Sequence, residues 1–306
     1  MTATHAIGVD VGGTKILAGI VARDGEVVRR RERSTPHDSQ ESVVAELEAA
    51  VAELLGDEIA AVGFGVPSPI DQRRGIVVQC VNLPLEDIAL RDLMRERLGL
   101  PVGLDNDANA AAIGEWRAGA GRGVDNLVML TLGTGLGGGV IAGGRPFRGS
   151  TGAGAELGHV VIVHDGRPCQ GACRGRGHLE PYVTGLAATA AAREAFGPAA
   201  DAHRLVRLAD EGDETACAIL AEIGRYLGSG MGSFANIFEP ELIVIGGGFG
   251  VAAWEYLMPA AEEVLRREAL RPMRDEVRVA PAELGTAAGL IGAAFVAFEA
   301  LDAAGA

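Results

Sequence analysis

The same pattern occurs twice in this 306-residue chain: an apolar strand, a glycine turn and a second apolar strand. The first copy, HAIGVDVGGTKILAGIVA, begins at His5, and the second, NLVMLTLGTGLGGGVIAGG, begins at Asn126. The segments after each copy alternate between apolar residues at helical spacing and short apolar runs, which is typical of α/β proteins. We therefore expect two halves that derive from one duplicated α/β unit.

The glycines of AGAGRG interrupt a predicted helix near residues 118–122, and we place the boundary between the halves there. We predict a small N-terminal domain over residues 1–120 and a larger domain over residues 121–285. The terminal helix, residues 286–306, is predicted to pack back on the first domain. Other helices are predicted over residues 39–55, 90–98, 213–238 and 254–267, and from about residue 108.

Charge and hydropathy limit the partners that the chain can have. It carries 27 lysines and arginines against 41 aspartates and glutamates, a net charge of −14, which disfavours DNA or another polyanionic scaffold. No basic segment followed by an apolar stretch precedes HAIGVDVGG, and the weakly charged stretch near residues 286–298 falls short of the roughly 20 apolar residues of a membrane span. We expect a soluble, cytoplasmic protein that binds small molecules, with neither nucleic acid nor membrane as a partner.

Both glycine turns join two strands, which excludes two common nucleotide-binding motifs. A P-loop runs into a helix and its sequence is absent; Gly133, Gly135 and Gly138 match G-x-G-x-x-G, but a strand follows where the dinucleotide fingerprint needs a helix. The exposed N–H groups of such turns can still approach phosphate oxygens. Two turns that face one triphosphate across a cleft would bind ATP, and a pair of tight hairpins without a ligand is the alternative.

The candidate phosphate-binding residues come from three glycine clusters. Thr14 and Thr134 offer hydroxyl donors at the tips of the two turns, and Lys15 offers a countercharge. A third cluster ends a buried strand, where α/β proteins bind ligands. The candidates are Gly12, Gly13, Thr14, Lys15, Gly133, Thr134, Gly135, Gly247 and Gly248.

Two aspartates are candidates for phosphoryl-transfer chemistry. Asp107, in LDNDANAAA, lies between a buried strand and a helix, where it can cap the helix or act as a base. Phosphoryl transfer needs a base only to accept a hydroxyl proton, while other groups position the donor. Asp10, between an apolar strand and the first turn, is a candidate ligand of Mg²⁺, which prefers carboxylates, waters and phosphates.

Residues 158–180 gather three of the six histidines and two of the four cysteines. So few cysteines do not form a disulfide framework, and Cys169 and Cys173 lie beside histidines, which favours a metal site. A reduced pair without a metal is the alternative. Glu156 and Glu180 flank the segment, and a metal that folds it would draw both acids toward one site, where they can accept hydrogen bonds from a polyol. The alternative for each acid is a solvated position in a loop.

Taken together, these motifs resemble the ROK family of sugar kinases, and within it the glucokinases, over nearly the whole chain. The resemblance rests on DVGGTK, GVPSPID, NDAN, LGTGLGGG, ELGH, the Cys-rich loop that ends in LE, and IVIGGG. It implies an actin-like ATPase fold, also called ribonuclease H-like, with two α/β domains around a cleft. It also implies ATP at the glycine turns, a hexose between the domains, and a homodimer or higher homo-oligomer.

The same resemblance implies roles for individual residues. Asp107 is the base on the sugar hydroxyl, and Asn82 in VNLP borders the sugar pocket. Ser68 departs from the family pattern, which usually has glycine there, so the turn on the sugar side is expected to differ slightly. The residues that hold the sugar are Asn106, Glu156, His159 and Glu180.

The metal loop, residues 159–180, also departs from the family pattern, because it reads C-x-x-x-C-x-x-x-x-H instead of C-x-C-x-x-x-x-C. A Cys₂His₂ set suits a tetrahedral Zn²⁺ and leaves no open position for water, so the metal would be structural. His164 is a competing ligand. The predicted ligands are His159, Cys169, Cys173 and His178.

We therefore predict an ATP-dependent hexose kinase that phosphorylates the 6-hydroxyl of glucose. Other ROK sugars, namely N-acetylmannosamine, N-acetylglucosamine, fructose and mannose, are alternative acceptors, and polyphosphate is an alternative donor, although no extended basic track is visible. The alternative of another class is a sugar-sensing ROK transcriptional repressor. Such repressors usually carry an N-terminal helix-turn-helix domain, whereas the first strand here starts a few residues after Met1.

Overall fold

Groups of strands alternate with groups of helices along the chain in the computed structural model, which describes residues 4–171 and 173–305. The strands are β1 (His5–Val11), β2 (Lys15–Ala22), β3 (Val27–Ser34), β4 (Ile59–Val66), β5 (Ile70–Asp71), β6 (Ile76–Gln79), β7 (Glu86–Ile88), β8 (Val102–Asn106), β9 (Leu127–Leu132), β10 (Leu136–Ile141), β11 (Leu242–Gly246) and β12 (Arg278–Pro281). The helices are α1 (Gln40–Ala52), α2 (Leu90–Leu98), α3 (Asp107–Ala118), α4 (Glu180–Val183), α5 (Gly185–Phe196), α6 (Ala202–Asp210), α7 (Glu214–Phe238), α8 (Gly248–Ala252), α9 (Trp254–Glu268), α10 (Met273–Glu276) and α11 (Ala288–Ala304).

Each half contains a sheet that starts from a glycine hairpin. The first sheet has the order β3-β2-β1-β4-β8, in which β1 and β2 are antiparallel and β1, β4 and β8 run parallel. The second sheet has the order β10-β9-β11-β12, in which β9 and β10 are antiparallel and β9, β11 and β12 run parallel. A hairpin extended by two parallel strands is therefore repeated, as the sequence pattern predicts.

The terminal helix α11 lies directly on the first sheet. Four glycines, Gly19, Gly8, Gly63 and Gly103, are neighbours across β2, β1, β4 and β8. A Cβ atom at Gly8, Gly63 or Gly103 would collide with a main-chain carbonyl of α11. Glycine is needed along this row because the backbones of the helix and the sheet are in contact.

The helix Gly285–Ala304, which includes α11 and one preceding turn, has the length and composition to cross a membrane. The expectation that this stretch is too short was wrong, because the helix continues beyond Phe298. In the fold, 61% of its most apolar window is buried, since the helix packs on β1, β4, β8 and α3. Its position in the core accounts for its composition.

Helix α3 connects the two halves, and its first residue, Asp107, lies at the site described below. It packs against α11 on one side and against β10 of the second sheet on the other. The core of the second half lies between the second sheet and helices α7 and α9. The first half has a separate core beneath α1 and α2.

Most elements lie close to their predicted positions, but two groups were missed. Strands β5, β6 and β7 form a separate three-stranded sheet, and each has between two and four residues, too few for an alternating pattern to be visible. Helices α4, α5, α6, α8 and α10 were also missed. The domain boundaries derived from the sequence stay predictions.

Candidate active site

A cavity of about 1050 Å³ lies at the carboxyl ends of parallel strands from both sheets. The first sheet contributes Asp10 and Asn106, and the second contributes Thr131 and the residues after β11. Ligands of α/β proteins bind at such strand ends. The predicted site residues that line the cavity are Asp10, Asn82, Asn106, Asp107, Gly133, Thr134, Gly135, Glu156, His159, Glu180, Gly247 and Gly248.

Asn106, not Asp107, caps helix α3. Its Oδ1 accepts hydrogen bonds from the N–H groups of Ala108, at 2.9 Å, and Asn109, at 3.1 Å. Asp107 is the first residue of the helix, and its Oδ1 accepts the Ala108 N–H at 2.8 Å. The alternative interpretation of Asp107 as the cap was therefore wrong, which leaves this cavity-lining carboxylate available for chemistry.

Burial raises the pKa of both aspartates in the cavity. The pKa of Asp10 is raised to about 7 by burial and by the nearby charge of Asp107, while Lys15 opposes the rise. The pKa of Asp107 is raised by burial as well, although hydrogen bonds from the Ala108 N–H and the Asn106 side chain counteract this. A carboxylate with a raised pKa is a stronger base than an exposed aspartate, and a better proton acceptor.

Asp10 lies at the N-terminus of α11. A Cβ atom on Gly289 would lie 2.6 Å from its Oδ2, so the glycine makes room for the carboxylate. The N-terminus of a helix also favours negative charge. The end of α11 thus favours the ionised form of Asp10, against the effect of burial.

Ser68 fits the turn in which the related pattern has glycine. The side chain is buried, and its Oγ donates to the Pro69 carbonyl at 2.9 Å and accepts the Gln79 N–H at 3.1 Å. The Ser68 carbonyl accepts a hydrogen bond from Asn106 Nδ2 at 3.3 Å. The residue therefore supports Asn106 and does not obstruct the cavity.

The second glycine turn, Gly133–Gly135, is held by Glu180. Oε1 of Glu180 accepts the Leu136 N–H at 3.1 Å, and a Cβ atom on Gly135 would lie 2.8 Å from the same oxygen. The Gly185 N–H donates to the Gly133 carbonyl at 2.8 Å. The turn and the start of α4 therefore form one continuous wall of the cavity.

The first glycine turn lies beside the cavity and not in its wall. Thr35, which follows β3, donates from its Oγ1 to the Gly12 carbonyl at 2.8 Å. Lys15 Nζ forms an exposed salt bridge with Glu32 Oε2 at 3.0 Å, so in this conformation its charge is directed toward β3. Within the described part of the chain, the predicted phosphate-binding residues that do not line the cavity are Gly12, Gly13, Thr14 and Lys15.

The four predicted metal ligands lie together, and their donor atoms are all within 4.8 Å of one another. His159 Nδ1 lies 3.5 Å from Cys169 Sγ and 3.2 Å from His178 Nδ1, and Cys173 Sγ lies 3.7 Å from His178 Nδ1. Ligands about 2.0–2.3 Å from a tetrahedral Zn²⁺ are roughly 3.3–3.8 Å apart. The donor set therefore fits zinc in both chemistry and spacing, and His164 is not a member of the group.

The metal cluster adjoins the acids that the sequence assigns to sugar binding. Cys169 Sγ lies 3.6 Å from Glu180 Oε2, and His159 belongs to both the cluster and the cavity wall. Burial raises the pKa of Glu156, with a further contribution from the charges of Asp107 and Glu180, while His159 opposes it. Glu156, Glu180 and the His/Cys cluster thus lie together at one end of the cavity.

Sequence reasoning missed Thr131, Thr286 and Gly289, which also line the cavity. Thr131 pairs with Gly137 two residues from the turn of the second hairpin, as Asp10 pairs with Leu17 in the first. The duplicated pattern was therefore a usable signal for Thr131. Gly289 has no such signal, because its role depends on a contact across the fold.

A model of the ROK family matches residues 6–300 of the chain. A glucokinase of Streptomyces coelicolor is 35% identical over 310 aligned residues, which cover 96% of this chain and 97% of that protein. Among solved structures, a ROK family glucokinase from Streptomyces griseus in complex with glucose and AMPPNP has a TM-score of 0.82 at 35% identity, covering 96% of this chain and 99% of that one.

A structure of another kind is also similar. A ROK family transcriptional regulator, described as a homologue of the E. coli MLC protein, has a TM-score of 0.87 at 26% identity. The match covers 98% of this chain and 79% of the regulator. The architecture is therefore common to kinases and regulators, and the side chains of the cavity have to distinguish the two.

Proposed function

The chain belongs to the ROK family, and we propose that it is an ATP-dependent hexose kinase that phosphorylates the 6-hydroxyl of glucose. Its fold is the actin-like ATPase fold, with two α/β halves around the cavity. The observation that carries the proposal is Asp107, a cavity-lining carboxylate with a raised pKa at the start of α3. A regulator needs to bind a sugar, but it does not need a base beside the sugar hydroxyl.

The chemical step uses Asp107 as the proton acceptor. As the sugar 6-oxygen forms its bond to the γ-phosphorus of ATP, the hydroxyl proton passes to the Asp107 carboxylate. The bond between the γ-phosphorus and the bridging oxygen to the β-phosphate breaks, and ADP leaves with that electron pair. The kinase positions both substrates so that the attacking and leaving oxygens lie in line.

The sugar occupies the end of the cavity next to the metal cluster. Glu156 and Glu180 accept hydrogen bonds from its hydroxyls, and the Asn106 NH₂ group donates to one of them, with Asn82 at the border. His159 contributes one ring nitrogen to the cluster and is oriented by it toward the sugar. His159, Cys169, Cys173 and His178 would hold Zn²⁺ with all four of their donor atoms, and the metal would serve to keep this loop in shape.

ATP occupies the end lined by the second glycine turn and by Gly247 and Gly248. Main-chain N–H groups at the tip of this turn approach phosphate oxygens, and the Thr134 hydroxyl donates to them. Asp10 would hold Mg²⁺, which neutralises phosphate charge when it is bound, because carboxylate oxygens are among the donors that this cation prefers. Gly12, Gly13, Thr14 and Lys15 reach the phosphates only if the two halves close further around both substrates.

We place the enzyme in the cytoplasm, in the first step of carbohydrate use that leads to glycolysis, and as a homodimer or larger homo-oligomer. The function is tested by a coupled assay of ADP release with glucose, mannose, fructose, N-acetylglucosamine and N-acetylmannosamine. The highest kcat/KM is expected for glucose with ATP, with polyphosphate a poor donor. A preference for an N-acetylated sugar would contradict glucose as the acceptor, and no turnover with any sugar would contradict the kinase assignment.

A further inference from the structure

The chain passes between the two halves twice, and one buried side chain contacts both passages. The first passage, residues 119–126, joins α3 to β9, and the second, residues 282–287, joins β12 to α11. Glu115, near the end of α3, is fully buried. Its carboxylate lies between the two passages.

The Glu115 carboxylate accepts three main-chain hydrogen bonds. Oε2 accepts the N–H of Ala120 at 2.9 Å and the N–H of Glu283 at 3.1 Å, and Oε1 accepts the N–H of Leu284 at 2.8 Å. Ala120 belongs to the first passage, while Glu283 and Leu284 belong to the second. A single charged group therefore ties the two passages together, and hydrogen bonds to a charged acceptor are stronger than those to a neutral one.

The second passage is part of the cavity wall. Ala282 and Thr286 line the cavity next to Gly247 and Gly248, and a Cβ atom on Gly246 would lie 3.2 Å from the Ala282 Cβ. This is the end of the cavity assigned above to ATP. The bonds from Glu283 and Leu284 to Glu115 thus fix the segment that borders the nucleotide.

We propose that Glu115 is a positioning residue that holds residues 282–287 in place for ATP, an inference that rests on the proposed kinase function. It contacts neither the sugar end nor the phosphate turns, and it acts through the main chain of the second passage. A carboxylate is needed because both of its oxygens accept hydrogen bonds. An amide would direct its NH₂ group toward at least one main-chain N–H and leave that donor without a partner.

Two variants test this positioning from different directions. Glu115→Gln keeps the size of the side chain and removes one acceptor. Gly119→Ala keeps the carboxylate, but its new Cβ atom would collide with Glu115 Oε2 and lie 2.9 Å from Leu284 Cγ. Glu283→Ala is the matched control, because only the main-chain N–H of that residue contacts Glu115, and alanine retains it.

Each variant is compared with the parent enzyme for KM of ATP, kcat, and the Kd of glucose measured without nucleotide. We expect Glu115→Gln and Gly119→Ala to raise the KM of ATP at least fivefold, with a smaller fall in kcat and a change in the glucose Kd of less than twofold. Glu283→Ala should leave all three values within twofold. A merely structural defect would weaken glucose binding as well.

The inference is overturned if the KM of ATP stays within twofold in both variants, or if the glucose Kd rises as much as the KM of ATP. It is also overturned if neither variant folds, as judged by circular dichroism, while Glu283→Ala folds, because Glu115 would then be a core residue only. The proposed function fails separately, if the parent enzyme itself phosphorylates no hexose with ATP.

Discussion

The two glycine hairpins have the same strand pattern but different surroundings. The second turn, Gly133–Gly135, lies in the cavity wall, where Glu180 holds it from behind. The first turn is engaged by residues near β3, and Lys15 is paired with Glu32 on the surface. A motif locates a turn in the chain, but the elements that follow it decide which side of the turn meets the ligand.

The two walls of the cavity also differ in chemistry. The first half contributes the half-buried carboxylates Asp10 and Asp107, and the second half contributes the second glycine turn and the loop that carries the His/Cys cluster. The pKa values of the first pair are raised by burial. We therefore expect substitutions in the first wall to affect chemistry and ionisation, and substitutions in the second to affect substrate binding.

The largest effect is expected at Asp107. Replacing it by asparagine in Asp107→Asn removes the proton acceptor, so kcat should fall roughly 10²- to 10⁴-fold, while the Kd of glucose, measured by calorimetry, stays within about threefold. Asp92→Asn, at an exposed position in the same half, is the control and should change neither kcat nor the Kd of glucose. A kcat within tenfold of the parent value would remove Asp107 from the mechanism and with it the contrast between the two walls.

The second effect concerns the stability of the first wall. The pKa of Asp10 is about 7 in the folded protein and near 3.8 when the group is free, so the fold favours the protonated acid. The stability that this provides is present below about pH 4 and is lost as the pH rises toward 7. Because one pKa unit corresponds to about 1.4 kcal/mol, the loss between pH 5 and pH 8 is on the order of 3 kcal/mol.

Asp10→Asn cannot ionise, so its free energy of unfolding should fall less between pH 5 and pH 8 than that of the parent. Urea unfolding at the two pH values, without magnesium or nucleotide, measures the difference. The same variant should lose turnover because Asp10 is the proposed Mg²⁺ ligand. If both proteins show the same pH dependence, burial does not hold the Asp10 pKa above its usual value.

A third effect, of about tenfold, is expected in the second wall. Cys169→Ala removes a zinc ligand, so bound zinc should fall from about one per chain toward zero. The KM of glucose should rise about tenfold, more than kcat falls, because His159 and Glu180 lose their support, while the KM of ATP changes little. Cys217→Ala, a cysteine of α7 outside the cluster, is the matched control.

The fourth ligand is tested in the same assay. His178→Ala should release zinc and His164→Ala should retain it, since only His178 lies with the other donor atoms. The reverse result would assign the wrong histidine to the metal. No zinc in the parent protein, together with normal kinetics for Cys169→Ala, would mean that the loop keeps its shape without a metal.

The sequence was sufficient for the larger elements, and most of the residues that it singles out line one cavity. The sequence predicts Asp107 near the start of a helix from a buried strand that precedes it and from the motif NDAN. These signals can be found because they lie within a few residues of one another in the chain. Gly289 and Glu115 could not be found in this way, since the first matters through its distance from Asp10 and the second through main-chain groups of a distant segment. Contacts between distant segments have no periodicity that a single sequence displays.

The sequence also could not predict where the Lys15 ammonium group points. DVGGTK places a cation next to a glycine turn, and the pattern predicts that it faces the phosphates. In the fold, β3 pairs with β2 and brings Glu32 within 3.0 Å of Lys15 Nζ. Whether Lys15 contacts Glu32 or the phosphates of ATP depends on the conformation of the first hairpin, and the KM of ATP in variants of these residues measures it.

The smallest effect follows from this difference between the hairpins. Lys15→Ala removes an exposed salt bridge, which contributes about 0 to 1 kcal/mol, so we expect the KM of ATP to change less than threefold. Thr134→Ala removes a hydroxyl from the cavity wall, and the loss of one hydrogen bond of roughly 0.5–1.5 kcal/mol should raise the KM of ATP about three- to tenfold. Glu32→Ala serves as the control, because it breaks the same salt bridge and leaves the lysine charge in place. If Lys15→Ala raises the KM of ATP more than Thr134→Ala does, while Glu32→Ala is silent, the first hairpin must close on the nucleotide during turnover, and both glycine turns then bind the phosphates.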